Sequence, residues 1–240
     1  MCNNYIYHVH TYRCGHASKE TDEEYVEKAV ELQADSIAFT DHAPFPGDPF
    51  TNRMKYSQLN EYIDSLKKLK EKYKDFIDVR IGLEIEYIPS YSSYYKELRA
   101  NRNLEILMLG QHHYEMSGGK YSFMEDDRTL EYAGICQAIC TGIKTGLFDV
   151  VAHPDRAFRN CNKWTDELSA QSVKLIDTAA RHRVKLEKNL SSIKNGQYRD
   201  SFWKLVPEDS GIIYGCDAHS VKELVPKDAI YLLGGDFDKI

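Results

Sequence analysis

Six apolar runs in this chain lead into histidine, aspartate or glutamate, and that recurrence restricts the fold more than any single motif. The first starts at Tyr5 and carries His8 and His10. Ile37 to Thr40 runs into Asp41-His42, Val79 to Leu83 into Glu84 and Glu86, and Glu105 to Leu109 into His112-His113. Leu147 to Ala152 runs into His153-Pro154-Asp155, and Gly211 to Gly215 into Cys216-Asp217-Ala218-His219. Short apolar runs of this kind read as buried strands. A seventh strand, Val184 to Glu187, precedes Lys188-Asn189-Leu190-Ser191-Ser192. Helical patterns separate most of the strands: 22–33 behind a Thr21-x-x-Glu24 capping box, then 56–73, 89–99, 131–144, 166–182 and a helix holding 202–206. Alternating β and α elements imply a parallel sheet. An open sheet would leave its outer strands too far apart for their polar ends to meet. The expectation is therefore an α/β fold, a closed seven-stranded parallel βα barrel, with the polar residues at the C-terminal strand ends where such barrels keep their chemistry. A chain of 240 residues suits one such domain spanning 1–240.

The chemistry at those ends points to metal. In an extended strand, side chains two apart share a face, so His8 and His10 point together while Val9 faces the other layer. Imidazoles suit Zn, Fe, Mn or Co better than Mg or Ca, and the Cys14-Gly15-His16 loop gives His16 the reach to meet a further ion. Glu84 and Glu86 likewise share a face. Pro44, Pro46, Gly47 and Pro49 make a rigid wall after His42, and the loop from Gln111 to Met124, with Gly118-Gly119 at its tip, is placed to act as a lid. Arg156 and Arg159 follow His153 closely. His182, flanked by Arg181 and Arg183 at a helix C-terminus, reads as structural.

Other classes are excluded. A net charge of −6 without a basic run argues against extended nucleic-acid binding. The lack of a long apolar run or a charged-then-apolar leader argues against a membrane span or signal peptide, so a cytoplasmic protein is expected. The six cysteines form no Cys-x-x-Cys pair and read as free thiols, with Cys136 and Cys140 packing from one helix face. No sequence pattern bears on oligomeric state.

Taken in order, His8-x-His10, His16, Asp41-His42, Gly82-x-Glu84, His113, His153-Pro154-Asp155 and Asp217-Ala218-His219 resemble the PHP (polymerase and histidinol phosphatase) superfamily, and within it the histidinol-phosphatase-like enzymes. The resemblance implies a distorted seven-stranded (βα)7 TIM-like barrel of PHP type with two to three divalent ions (Zn, Fe, Mn or Co). It implies that His8, His10, Glu84 and Asp217 hold a first ion, that Glu84 bridges to a second held by His113 and His153, and that His16, His42 and His219 hold a third. Family spacing selects His113 over its neighbour His112. The implied reaction is hydrolysis of a small phosphate ester by a hydroxide held between metals, with Glu84, Asp217 and a phosphate-clamping Arg156 as catalytic residues. The expected substrate is L-histidinol phosphate, a step of histidine biosynthesis. A nucleotide, sugar phosphate or small phosphodiester is the alternative, and a non-catalytic metal-binding module comes third. Arg156, Arg159, Lys188 and Tyr114 are the candidate substrate contacts, and Glu86, Glu115, Tyr12, Phe45 and Tyr114 the candidates around the leaving alcohol. Two departures stand out. Lys188 to Ser192 follows the family's sixth-strand segment only loosely, and Leu232-Leu233-Gly234-Gly235 leaves little room for a final helix.

Overall fold

The apolar runs pair side by side in chain order. In the computed structural model, which describes residues 4–234, they form β1 (Tyr5–Val9), β2 (Ser36–His42), β3 (Asp78–Ile85), β4 (Ile106–Leu109), β5 (Val150–Val151), β6 (Lys185–Asn189) and β7 (Ile212–Gly215). All six neighbouring pairs are parallel, in the order β1 to β7. The circle closes where the chain leaves β7. Cys216 N–H donates to Tyr7 O (2.9 Å), Ala218 N–H to His8 O (3.0 Å) and His10 N–H to Ala218 O (2.9 Å). The result is the expected distorted seven-stranded barrel.

Alternation along each strand divides the apolar side chains into two cores. One set, including Ile37, Phe39, Ile81, Leu83 and Leu107, packs outward against the helices. The other, including Tyr7, Ala38, Met108, Val150 and Ile213, forms a separate small cluster inside the barrel. The helices are α1 (Asp22–Glu31), α2 (Leu59–Lys72), α3 (Ser92–Ala100), α4 (Glu131–Lys144), α5 (Asp166–His182), α6 (Leu190–Lys194), α7 (Asp200–Trp203) and α8 (Lys227–Gly234). The Thr21/Glu24 capping box is present at α1. Cys136 and Cys140 pack in the core from α4, and Cys14, Cys136, Cys140, Cys161 and Cys216 are free thiols. Cys2 and Gly235 lie outside the described residues.

Three expectations change. A final helix does fit, since α8 occupies the stretch that looked too short for one. The short α6 escaped the sequence reading because five residues hold little more than one turn. It forms because the Asn189 side chain accepts the Ser192 N–H as its N-cap. The third change concerns β1. Ile6 faces the helices and Tyr7 the barrel interior, so a regular strand would turn both His8 and His10 outward. A break in register between Tyr7 and Val9, with His8 at φ 69°, inserts one residue and brings His8 back to the interior. The shared face of His8 and His10 is the expected one, and it is this bulge that turns it to the interior. Among the described residues, no helix is long and apolar enough to cross a membrane.

Candidate metal centre

At the C-terminal strand ends, three residues other than glycine take left-handed backbone: His8 (φ 69°), His153 (φ 32°) and Asp217 (φ 52°). Each such residue costs about 1–3 kcal/mol, and strain of this kind collects at functional sites. Here it aims side chains from β1, β5 and β7 at one point. The point is the carboxylate of Glu84, which is 1% exposed at the end of β3. Around it lie His153 Nε2 (2.9 Å), His42 Nδ1 (3.1 Å), His8 Nε2 (3.3 Å) and His10 Nε2 (3.6 Å). Asp217 Oδ1 stands 3.2 Å from His10 Nε2 and 3.6 Å from His8 Nε2.

The outer hydrogen bonds set the imidazole tautomers. A carboxylate or carbonyl only accepts, so a ring nitrogen bonded to one carries the proton and the other nitrogen presents a lone pair. His8 Nδ1 donates to Glu187 Oε1 at 2.6 Å, which leaves Nε2 facing two carboxylates. His219 Nδ1 donates to Asp217 O (3.2 Å) and His16 Nδ1 to Cys14 O (3.1 Å). The two Nε2 atoms then face each other at 2.9 Å. His8 Nε2, both ring nitrogens of His10 and Glu84 Oε2 are buried with no hydrogen-bond partner. An orphaned buried polar atom costs about 1–3 kcal/mol, so concentrating several around opposed carboxylates makes physical sense if they enclose a cation. Among the described residues, four groups of side chains have the geometry to hold a metal ion: His8/His10/Asp217, His8/Glu84/His153, His10/His42/His219 and Cys14/His16/His219. A nitrogen-rich donor set with carboxylates fits the ions expected from the sequence.

The site departs from the sequence expectation at several residues. His112, not His113, faces the centre. Its Nε2 is 3.7 Å from Glu84 Oε1 and its ring is 5.2 Å from that of His153. His113 turns into an aromatic cluster with Phe50 (4.9 Å) and Phe123 (5.1 Å). Glu86 is held by Arg53 on both oxygens (3.0 and 3.1 Å) and by His112 Nδ1 (2.9 Å), so it fixes His112 while Glu84 meets the other imidazoles. Arg156 lines the cavity and donates to Asp217 Oδ2 (2.7 Å), Asn189 Oδ1 (3.0 Å) and Ser192 Oγ (2.7 Å). The other proposed substrate contacts face elsewhere. Arg159 pairs with Glu131 (2.8 Å) and the His112 carbonyl (2.9 Å), Lys188 lies over the Trp203 ring (5.3 Å), and Tyr114 packs against Gly134 of α4. Phe45 is core, Tyr12 sits over Arg13, and Glu115 accepts the Ser90 N–H.

Two features went unread in the sequence. Glu187 is fully buried, and besides His8 it accepts the His153 N–H (3.0 Å) and the Asn189 amide (3.1 Å), which ties β1, β5 and β6 together. A Cβ at Gly215 would overlap this carboxylate, and one at Gly110 would overlap that of Glu84. The strand-end rule that selected Glu84 applies equally to Glu187. The second is the cavity wall, built partly from Phe50, Arg53, Phe123, Asn195 and Gln197 around a volume of about 750 Å³. The proline-rich segment lines it through Pro49, and the 111–124 loop does so through its C-terminal end, at Phe123 and Met124, and not through its Gly118-Gly119 tip.

The charges at the centre set a pH dependence for metal-free protein. Burial works to raise Glu84, but His8, His42 and His112 hold it well below the usual carboxylate range. Burial works equally against a charged His10, yet Asp217 and Asp41 keep its pKa up at about 9. Burial, helped by positive neighbours, lowers His42 to about 3 and His153 and His219 to about 4. A raised histidine stabilises fully below its unfolded pKa of about 6.5, and that contribution is lost as pH climbs toward 9. A lowered one stabilises above 6.5, and that contribution is lost as pH falls toward 4. Metal-free protein is therefore expected to be most stable near pH 6–7 and to weaken on both sides. Thermal melts of chelated protein from pH 4.5 to 9.5 check this, and a melting temperature that rises steadily to pH 9 would contradict it.

Comparison with known proteins places this geometry. The PHP domain model matches residues 7–191. The "Probable histidinol-phosphatase" of Deinococcus radiodurans is 31% identical over 160 residues, covering 62% of this chain and 59% of that one. The "Histidinol-phosphatase" of Bacillus subtilis is 37% identical over 90 residues, covering 35% of this chain and 34% of that one. The chain thus spans less than two thirds of the length of these curated relatives. The crystal structure of histidinol phosphate phosphatase (HISK) from Lactococcus lactis, complexed with Zn, L-histidinol and phosphate, shares the fold. Its TM-score is 0.71 at 19% identity, over 91% of this chain and 87% of that one.

Proposed function

We propose, from the premise that this chain belongs to the PHP domain family, that it is a metal-dependent phosphatase hydrolysing a small phosphate monoester, with L-histidinol phosphate as substrate. The observation that carries the reading is the arrangement of Arg156. Its guanidinium sits 2.7 Å from Asp217 in the cavity onto which Glu84, His42, His112 and His219 also open. A cationic donor beside a cluster of ligating groups suits a phosphoryl group. Two to three divalent ions are assigned: one to His8, His10 and Asp217, one to Glu84, His153 and His112, and one to His42, His219 and His16. Bound there, the ions supply an activated water and neutralise charge on the phosphoryl oxygens. The protein's part is to orient the donors and point them inward, through Glu187 on His8, Glu86 on His112 and the Asp217 carbonyl on His219. Arg156 is held by Asn189 and Ser192, so it meets a phosphate in a fixed orientation.

The leaving alcohol meets the mouth of the cavity. Phe50 and Phe123 offer aromatic faces there, and Asn195 and Gln197 offer amides. Such a wall suits a leaving group with a flat polar ring, as histidinol has. The same names on the relatives above point to the same ester.

Steady-state kinetics on a small panel of phosphate esters tests this. The kcat/KM for L-histidinol phosphate is expected to exceed those for AMP and glycerol phosphate by at least about tenfold, or about 1.4 kcal/mol of transition-state binding. Arg156→Ala should lower all of them together by about 100-fold and leave the ranking unchanged, because it meets their common group. Equal rates across the panel, or a preference for a nucleotide, would remove the histidinol-phosphate assignment and leave the phosphatase assignment standing. No turnover of any ester by protein with bound metal would remove both.

A further inference from the structure

Cys14 lies beside the metal centre, and no step argued so far uses it. The chain makes a 3-10 turn over Tyr12–Cys14 and reverses at Gly15, whose φ of 82° is left-handed and open to glycine at no steric cost. That reversal points the Ala17 N–H back at the cysteine sulfur, 3.3 Å away. It also places His16 two residues on, with its Nδ1 committed to the Cys14 carbonyl. The sulfur, a ring nitrogen of His16 and a ring nitrogen of His219 all lie within 4.8 Å of one another. Since the two Nε2 atoms face each other with their protons on the far side of each ring, the lone pairs need a shared proton or a cation. A second observation lies beside it. His10 is fully buried with neither ring nitrogen in a hydrogen bond but with ion-pair contacts to Asp217 (3.2 Å) and Asp41 (3.7 Å), and its ring stacks on His219 at 4.3 Å.

We propose that Cys14 is a ligand of the most exposed ion of the centre, its thiolate joining His16 and His219. The assignment rests on reading the site as a metal centre and adds to it a soft donor. The sulfur–hydrogen bond breaks, a sulfur–metal bond forms, and the proton passes to solvent, because a coordinated thiol is deprotonated outright. The N–H donated by Ala17 stabilises the charge left on sulfur. One consequence is selectivity. A thiolate among imidazoles favours Zn, Co or Fe over Mn at this position, whereas the ions around Glu84 and Asp217 meet only nitrogen and oxygen.

The test uses the whole chain loaded with Co(II). The expected result is a thiolate-to-cobalt charge-transfer band in the near ultraviolet, and a sulfur scatterer at about 2.3 Å in X-ray absorption at the metal edge. Cys14→Ser should abolish both and lower the metal content by one ion per chain. Cys216→Ser, which removes the thiol next to Asp217, should leave both in place. Loaded protein with nitrogen and oxygen scatterers alone, or a band that survives Cys14→Ser, overturns the assignment while the metal centre stands. Protein that takes up no metal overturns the centre itself. If Cys14→Ser does not fold, the wild-type spectrum decides together with Cys216→Ser: no sulfur signal, or one that disappears with Cys216, rejects Cys14.

Discussion

Glu84→Gln is expected to lower kcat for phosphate-ester hydrolysis at least about 100-fold, and Glu86→Gln to cost about tenfold. Even a partner that only orients a metal ligand is typically worth about 10–100-fold, so a ligand that itself meets several imidazoles sets the higher floor. Glu84 lies within 3.7 Å of His8, His10, His42, His112 and His153. Glu86 instead spends both oxygens on Arg53 and His112. The glutamine variant keeps the shape of Glu84 and removes its charge, so metal content should fall along with turnover. Kinetics and elemental analysis of the two variants side by side decide the matter. A larger loss at Glu86 would move the centre two residues along β3.

The largest effect on stability is expected at Glu187. Truncation to alanine strips His8 Nδ1, the His153 N–H and the Asn189 amide of their acceptor in a fully buried place. Breaking a buried charged pair by removing one partner costs about 3–5 kcal/mol, a large part of the roughly 5–15 kcal/mol that holds a typical domain together. Glu187→Gln keeps an acceptor for His8 and should lose much less. Metal affinity should drop as well, by about 10–100-fold for the alanine variant, because an unguided His8 no longer presents Nε2. Thermal melts with and without added Zn, paired with a metal titration, measure both effects. An unchanged melting temperature together with an unchanged titration would mean that His8 is oriented without Glu187.

The strand count and the meeting of their ends were legible because both follow from local sequence. Apolar runs mark the strands, and the residues ending them mark one rim of the barrel. What escaped notice depends on contacts between distant residues. Nothing local to Tyr7-His8-Val9 announces a bulge, since the register break shows only against β2. His112 and His113 are adjacent in an irregular loop, where spacing cannot tell which side chain turns inward. Glu187 sits in a strand with no histidine, and its importance lies in partners on β1 and β5. Lys188, Arg159 and Tyr114 were placed correctly along the chain and wrongly around it. None of them lines the cavity, and each has a neighbour of its own, at Trp203, Glu131 and Gly134.

The seam between β1 and the residues after β7 has a consequence for how the molecule is made. Tyr7 and Cys216, which meet across it, are 209 residues apart in sequence. His8 and His10 on one side and Asp217 and His219 on the other are therefore synthesised far apart in time. Until β7 arrives, β1 has a bare edge of unpaired amides and carbonyls, the kind of template on which chains pair with each other. Closing so long a loop is also entropically late, so the seam is expected to be among the last contacts formed. An ion held by residues from both sides of the seam would then act as a latch on the closed barrel. Cells starved of the right metal should accumulate this protein with its first strand unpaired and prone to aggregate.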